Sequence, residues 1–186
     1  MQLFYPIKSN YITQKFGENL VDFYTKLGLK GHNGIDLAFY PDYPEVCYED
    51  FVQGKVYYTV NSNTFGNYLC IISEEKEGIF MHLYGHLKEF RCKTGDIVKA
   101  GQVIAIADNT GLYTTGAHLH WAIYEMIKDS NGNYAYKYPT NGYQGAIDQT
   151  PYLSYIFIKD YIANLWKQLS LLQKLLELLK QLNKPI

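Results

Sequence analysis

From Gly54 to Ile127, short runs rich in Val, Ile, Tyr and Thr alternate with Gly, Asn and Asp, the pattern of half-buried strands separated by turns. The spacing predicts strands over Gln53 to Val60, Tyr68 to Ser73, Ile79 to Leu87, Asp96 to Val98, Val103 to Asp108 and His118 to Ile127. Lys93-Thr-Gly-Asp96 and Lys99-Ala-Gly-Gln102 read as turns by their glycines. Val21 to Leu27 predicts a short helix. The chain therefore reads as mainly β, an antiparallel, sandwich-like sheet domain over residues 1–157.

At Ile158 the period changes. Ile162, Leu165, Leu169, Leu172, Leu176 and Leu179 recur at steps of three and four, with Asn183 at the next seam position, which predicts a C-terminal amphipathic helix over 158–186. A second stripe of Leu171, Leu175, Leu178 and Leu182 makes the apolar face broader than a two-stranded coiled coil needs. Lys167, Lys174, Lys180 and Lys184 outweigh Glu177 on the polar side. Three uses stay open: homo-oligomerisation in a helical bundle, contact with a membrane surface, and docking on the chain's own β domain.

Composition narrows the field. The 186 residues carry a formal net charge of −1, so no broad basic field points to nucleic acid. Cys47, Cys70 and Cys92 have no Cys-x-x-Cys spacing and read as small reduced hydrophobes, neither a disulfide framework nor a zinc knuckle. Met1 to Lys8 lacks the basic head, apolar run and cleavage site of a secretory signal, and no transmembrane span is apparent. Tyrosine reaches 19 copies. Tyr57, Tyr58 and Tyr68 read as ordinary strand packing, whereas Tyr113, Tyr134, Tyr136, Tyr138 and Tyr143 sit among loop residues and could line a groove.

The chemistry concentrates in three motifs: His32-Asn-Gly-Ile-Asp36, Tyr84-Gly-His-Leu87 and His118-Leu-His120. On a strand, residues i and i+2 share a face, so His118 and His120 can look into one cavity while Leu119 and Trp121 face away. Four residues of straight strand span roughly 13 Å, too far for two ligands of one ion. The chain must therefore bend between His32 and Asp36, and Gly31, Asn33 and Gly34 would accept the backbone angles of that bend. Four histidines and one carboxylate exceed the three protein ligands usual for catalytic zinc, so some would serve as acid or base. Asp36 has a plainer reading as a turn carboxylate. His82 is left outside the set, read as a half-exposed strand residue that could share a face with His86.

The segment from Lys30 to Glu125 resembles the lysostaphin-type (LytM-like) zinc endopeptidases of bacterial peptidoglycan. The resemblance rests on Gly31-His-Asn-Gly-Ile-Asp36, Gly54-Lys-Val, Gly66-Asn-Tyr-Leu-Cys-Ile-Ile72, Leu83-Tyr-Gly-His-Leu87, the run Thr94 to Ile104, and Thr115-Gly-Ala-His-Leu-His-Trp121. It implies that His32, Asp36 and His120 ligate Zn2+, one ion per chain, and that His86 and His118 are the catalytic pair. It further implies a zinc peptidase domain in residues 1–157, a bacterial peptidoglycan peptide as substrate and action at the cell wall. Without a signal or membrane span, release by lysis, a holin or virion delivery follows, as for a phage or phage-like lysin. Ala117 stands where the family often has proline, Ala105-Ile-Ala107 replaces a glycine-richer stretch, and Lys128 to Gly142 looks like a local elaboration.

Two rival readings are of other classes. Thr94 to Ile104 resembles the turn-and-strand pattern of biotinyl or lipoyl carrier modules, but no lysine sits in the expected hairpin context. The second rival is a catalytically silent wall-binding or virion protein on the same fold.

Overall fold

The computed structural model describes residues 2–20, 22–63 and 65–182, and the expectations at Val21, Asn183 and Lys184 lie outside the described residues. In chain order the elements are β1 (Leu3–Tyr5), β2 (Ile12–Gln14), α1 (Phe23–Lys26), β3 (Ile35–Leu37), β4 (Glu45–Cys47), β5 (Gly54–Val60), β6 (Asn67–Glu74) and β7 (Ile79–Phe90). They continue with β8 (Ile97–Val98), β9 (Val103–Ala107), β10 (Leu119–Lys128), β11 (Tyr134–Tyr136), β12 (Ala146–Ile147), a 3-10 turn (Thr150–Tyr152), β13 (Leu153–Phe157) and α2 (Ile158–Leu182).

Among the described residues, eleven strands join one branched sheet whose main path runs β2-β3-β10-β7-β6-β5-β8, with β9 joining β7 to β4. Every pairing in it is antiparallel. A parallel pair, β1 with β13, stands apart and brings the two ends of the β domain together. The strands expected between Gly54 and Ile127 all form, with one change at the site: His118 makes an isolated bridge to Asp108, and β10 begins at Leu119. The segment expected to be a local elaboration folds back as a hairpin of β11 on β10.

Alternation explains the two sides of the sheet. Leu119, Trp121 and Ile123 of β10 pack with Tyr84, Ile71 and Val56 in the larger apolar cluster. Ala122, Tyr124 and Met126 pack on the other side with Met81, Leu83, Cys70 and Ile72. Each fully buried Leu, Ile or Phe side chain in such clusters stabilises the fold by roughly 1.5–3 kcal/mol. Cys47 and Cys70 are buried free thiols and Cys92 is a half-buried one.

Only the start of α2 docks. Ile158 is buried, the Tyr161 ring lies 4.6 Å from that of Phe4, and Lys159 reaches Glu45 at 2.6 Å. Leu171, Leu172, Leu175, Leu176, Leu178 and Leu179 are exposed, so docking on the β domain accounts for the first turns and not for the leucine stripes beyond them. No described helix is long and apolar enough to cross a membrane.

Candidate metal centre

Three neighbouring strands converge on one point. Asp36 lies on β3 directly opposite His120 on β10, and His120 in turn faces Gly85 on β7. Because paired residues share a face, the Asp36 and His120 side chains emerge together on the side of Ala122 and Leu83. Asp36 is thus a strand residue, which displaces its reading as a turn carboxylate.

His32 arrives from the segment before β3. Its backbone N–H donates to Glu18 O at 2.9 Å and its carbonyl accepts from Gly17 N at 2.8 Å. The glycines here act differently from the expectation of special backbone angles, since neither Gly31 nor Gly34 nor Asn33 has positive φ. What they provide is room. A Cβ on Gly31 would meet Gly17 O at 2.2 Å, and one on Gly34 would meet Trp121 O at 2.7 Å and the His120 ring at 2.8 Å.

The result is a triangle of donor atoms. His32 Nε2 lies 3.0 Å from His120 Nδ1 and 3.2 Å from Asp36 Oδ1, which is itself 2.9 Å from His120 Nδ1. Ligands on tetrahedral zinc, with bonds of about 2.1 Å, sit about 3.4 Å apart, so this triangle need open by only a few tenths of an ångström. His32 Nδ1 faces the Lys15 carbonyl at 3.2 Å and must donate to it, which leaves the Nε2 lone pair directed at the triangle. His120 Nε2 is buried with no hydrogen-bond partner. Two imidazoles and one carboxylate with adjoining open space are a donor set suited to a divalent cation of the zinc class.

The electrostatics agree with a site built for lone pairs. Burial pushes the His120 imidazole down to about 4 against the pull of the Asp36 carboxylate. For Asp36 burial opposes ionisation, yet contacts with His120 and His32 outweigh it and hold the carboxyl well below its usual range.

His86 and His118 stand beside the triangle, their ring centroids 4.7 Å apart. His86 Nδ1 donates to Thr110 O at 2.9 Å and His118 Nδ1 donates to Gly116 O at 2.7 Å, so both keep Nε2 free for the cleft. His118 Nε2 lies 3.5 Å from Asp36 Oδ2. Burial lowers the His86 pKa, with the Thr110 carbonyl pulling the other way. His86 also has φ of 58°, a left-handed backbone at the point where the β6–β7 and β7–β9 registers shift. That extra residue in β7 turns His86 to the side of the donor triangle, while Tyr84 before it and Leu87 after it stay in the larger core.

His82 is corrected on two counts. It is fully buried, not half-exposed, and it faces the opposite side of the sheet from His86, paired across from Ile123 and Ile71. Its burial has a cause in Glu49, whose carboxylate accepts from His82 Nδ1 at 2.7 Å.

A cleft of about 610 Å³ opens over the triangle. Its lining includes His86, His118 and Phe65 together with the apolar side chains of Leu20, Phe23, Leu27 and Leu29 and the ring of Tyr24. Of the five loop tyrosines named above, Tyr113 alone lines it, whereas the Tyr143 ring stacks on Phe16 at 4.6 Å. The sequence reading missed Tyr24, whose ring sits 5.4 Å from His32 and whose hydroxyl donates to Gln14 Oε1 at 3.1 Å. Burial first, and then Asp36, push that phenol above its ordinary value, keeping it a neutral donor.

The sequence profile of peptidase family M23 matches residues 30–134, more than half of the chain and the whole span from His32 to His120. Glycyl-glycine endopeptidase ALE-1 of Staphylococcus capitis is 36% identical over 98 residues, covering 51% of this chain and 25% of that protein. The peptidoglycan DD-endopeptidase ShyA of Vibrio cholerae is 35% identical over 124 residues, covering 66% of this chain and 26% of ShyA. Among solved structures, that of LytU superposes with a TM-score of 0.53 at 32% identity, covering 76% of this chain and 82% of LytU. The chain thus spans about a quarter of the length of these two curated relatives.

Proposed function

We propose that this chain, which belongs to peptidase family M23, is a zinc-dependent endopeptidase that cuts peptide cross-links of bacterial peptidoglycan. The observation that carries this reading is the meeting of His32 Nε2, Asp36 Oδ1 and His120 Nδ1 within 3.2 Å of one another, beside two imidazoles whose Nε2 atoms face the same cleft. We assign His32, Asp36 and His120 as metal ligands and His86 and His118 as the catalytic pair, within a peptidase unit of residues 1–157.

Zinc bound there would lower the pKa of water and polarise a peptide carbonyl. The protein's own share of the work is positional. Thr110 O and Gly116 O fix the tautomers of His86 and His118 so that each offers Nε2 to the substrate. Together these imidazoles accept the proton of the attacking water, donate to the developing oxyanion and return a proton to the leaving amine. Phe65, with its ring 5.5 Å from His86 and 5.6 Å from His120, sets an apolar ring against both imidazoles. The apolar rim from Leu20 to Leu29 gives the cleft a surface for the aliphatic part of a stem or bridge peptide. For the leucine face of α2, exposed beyond its first turns, we propose association with further copies of the chain.

The test is digestion of purified walls of differing cross-link chemistry, with mass spectrometry of the fragments. Cleavage that stops with chelator and returns with zinc is expected. Walls left intact at every zinc concentration, by protein that nonetheless binds them, would favour the catalytically silent reading instead.

A further inference from the structure

A second polar cluster lies on the other side of the sheet, in contact with neither His86 nor His118. It is made by Glu49 and Asp50, which follow β4, by Ser73 and Glu75 at the end of β6, and by His82 and Tyr84 on β7. Glu49 and His82 are fully buried and Asp50 nearly so.

Glu49 organises the cluster. One of its oxygens accepts from His82 Nδ1 at 2.7 Å and the other accepts from the Tyr84 hydroxyl. A carboxylate on Nδ1 keeps the proton there, so a neutral His82 presents its lone pair at Nε2, the arrangement in which a backing carboxylate orients an imidazole towards a metal. Nε2 points to Asp50 Oδ2 at 3.8 Å, with Ser73 Oγ at 3.0 Å. Donor atoms of Asp50, Glu75 and His82 all fall within 4.8 Å of one another.

The independent sign of a ligand is an oxygen left over. Asp50 Oδ1 accepts from Val52 N at 3.0 Å, but Asp50 Oδ2, aimed into the cluster, is buried without any hydrogen-bond partner. The Tyr48 hydroxyl, on a ring 5.7 Å from that of His82, is likewise buried and unpartnered. Glu49, Asp50 and Glu75 bring three carboxylates to a single imidazole, so even an imidazolium at His82 would leave surplus negative charge in the interior. Burial, and then the hydrogen bond and charge of Asp50, push the Glu75 carboxyl up to about 7, as expected where two carboxylates converge, although Ser73 Oγ donates to Glu75 Oε1 at 3.2 Å.

We propose that Asp50, Glu75 and His82 form a second divalent-cation site, of the zinc class, with Glu49 as the residue that holds His82 in ligating orientation. One imidazole nitrogen and two carboxylate oxygens match the donors such ions take, and the 3.8 Å spacing of Nε2 and Oδ2 is within about 0.5 Å of that between ligands on one zinc ion. Glu75, the half-buried member, provides the opening to solvent. The bound ion ties the loop after β4 and the β6–β7 turn to the middle of β7, a structural role separate from hydrolysis.

The test is zinc content after equilibrium dialysis against zinc chloride, for the whole chain and for His120→Ala, Glu75→Gln and the double variant. Two equivalents, one, one and none are expected in that order. A single equivalent in the parent that His120→Ala removes and Glu75→Gln leaves would overturn the second site while sparing the hydrolase reading. A single equivalent removed by Glu75→Gln alone would do the reverse. Folding is controlled by a further measurement: zinc should raise the melting temperature of His120→Ala but not of the double variant, and an equal rise in both would also sink the proposal.

Discussion

His82 and His86, four residues apart on β7, face opposite sides of the sheet because His86 adopts a left-handed backbone with φ of 58°. For a non-glycine residue that conformation costs on the order of 1–3 kcal/mol, a strain retained where surrounding structure and function demand it. Here the hydrogen bond to Thr110 O holds the ring in place at 2.9 Å. If His86 and His118 act on protons and not on the metal, His86→Ala and His118→Ala should each keep zinc and lose roughly 10²–10⁴-fold in cleavage rate. Elemental analysis beside a turbidity assay reads both quantities. Loss of the metal in either variant would move that residue into the ligand set.

Gly34 is the residue whose smallness the triangle depends on. An added Cβ would fall 2.7 Å from Trp121 O and 2.8 Å from the His120 ring, and neither can yield, since one is strand backbone and the other is a buried side chain bonded to Asp36. Gly34→Ala should therefore push His120 away from Asp36, at a cost of roughly 1–3 kcal/mol in stability, and lower zinc affinity more than tenfold. Thermal unfolding with and without zinc measures the two effects. Undiminished affinity would show that the site tolerates displacement of β3 from β10.

How much of this site is legible in the sequence differs from residue to residue. His118 and His120 announce their shared face through period-two alternation, and Leu119 and Trp121 go to the opposite core as that period requires. β2 to β4 are three residues each, too short to display any period, so these strands of the sheet have no local signal. The glycines around His32 are visible, but their purpose, room for Gly17 and His120, exists only after distant segments meet. His82 is buried because Glu49, 33 positions earlier, supplies its partner, and no spacing rule connects them. Tyr24 sits on a four-residue helix whose N-cap residue, Asp22, makes no side-chain capping hydrogen bond, and its contact with His32 is purely tertiary.

The acid-base balance around Glu75 gives a pH dependence of definite sign. Its folded pKa of about 7 lies above its ordinary value, so between these values the folded chain holds a proton that the unfolded chain has released. The stabilisation is fully present below the ordinary carboxyl range and is lost as pH rises through about 7. Burial lowers the His82 pKa, but Glu49, Asp50 and Glu75 together outweigh it, so His82 adds a dependence of the same direction, and His120, lowered to about 4, adds one of the opposite direction as pH falls. The comparison that isolates Glu75 is the melting temperature of the zinc-free parent minus that of Glu75→Gln. That difference should shrink from pH 5 to pH 8, and a constant difference would remove Glu75 from the account.

The last consequence concerns α2. Leu169, Leu172, Leu176 and Leu179 follow heptad spacing, and Leu171, Leu175 and Leu178 widen the face, yet all seven are exposed. Each leucine covered by another apolar surface would contribute roughly 1.5–3 kcal/mol, so a stripe of this length is a strong drive for association. Leu at both seam positions with an apolar flank favours more than two helices. Sedimentation equilibrium of the whole chain should give a mass well above the 21.5 kDa of one copy. Leu172→Glu with Leu176→Glu should return it to a single copy, because like charges would then face one another along the seam, while zinc content and cleavage by the β domain stay unchanged. A monomer at every concentration in the parent would end the self-association reading, and liposome flotation of that monomer would then decide for a lipid surface.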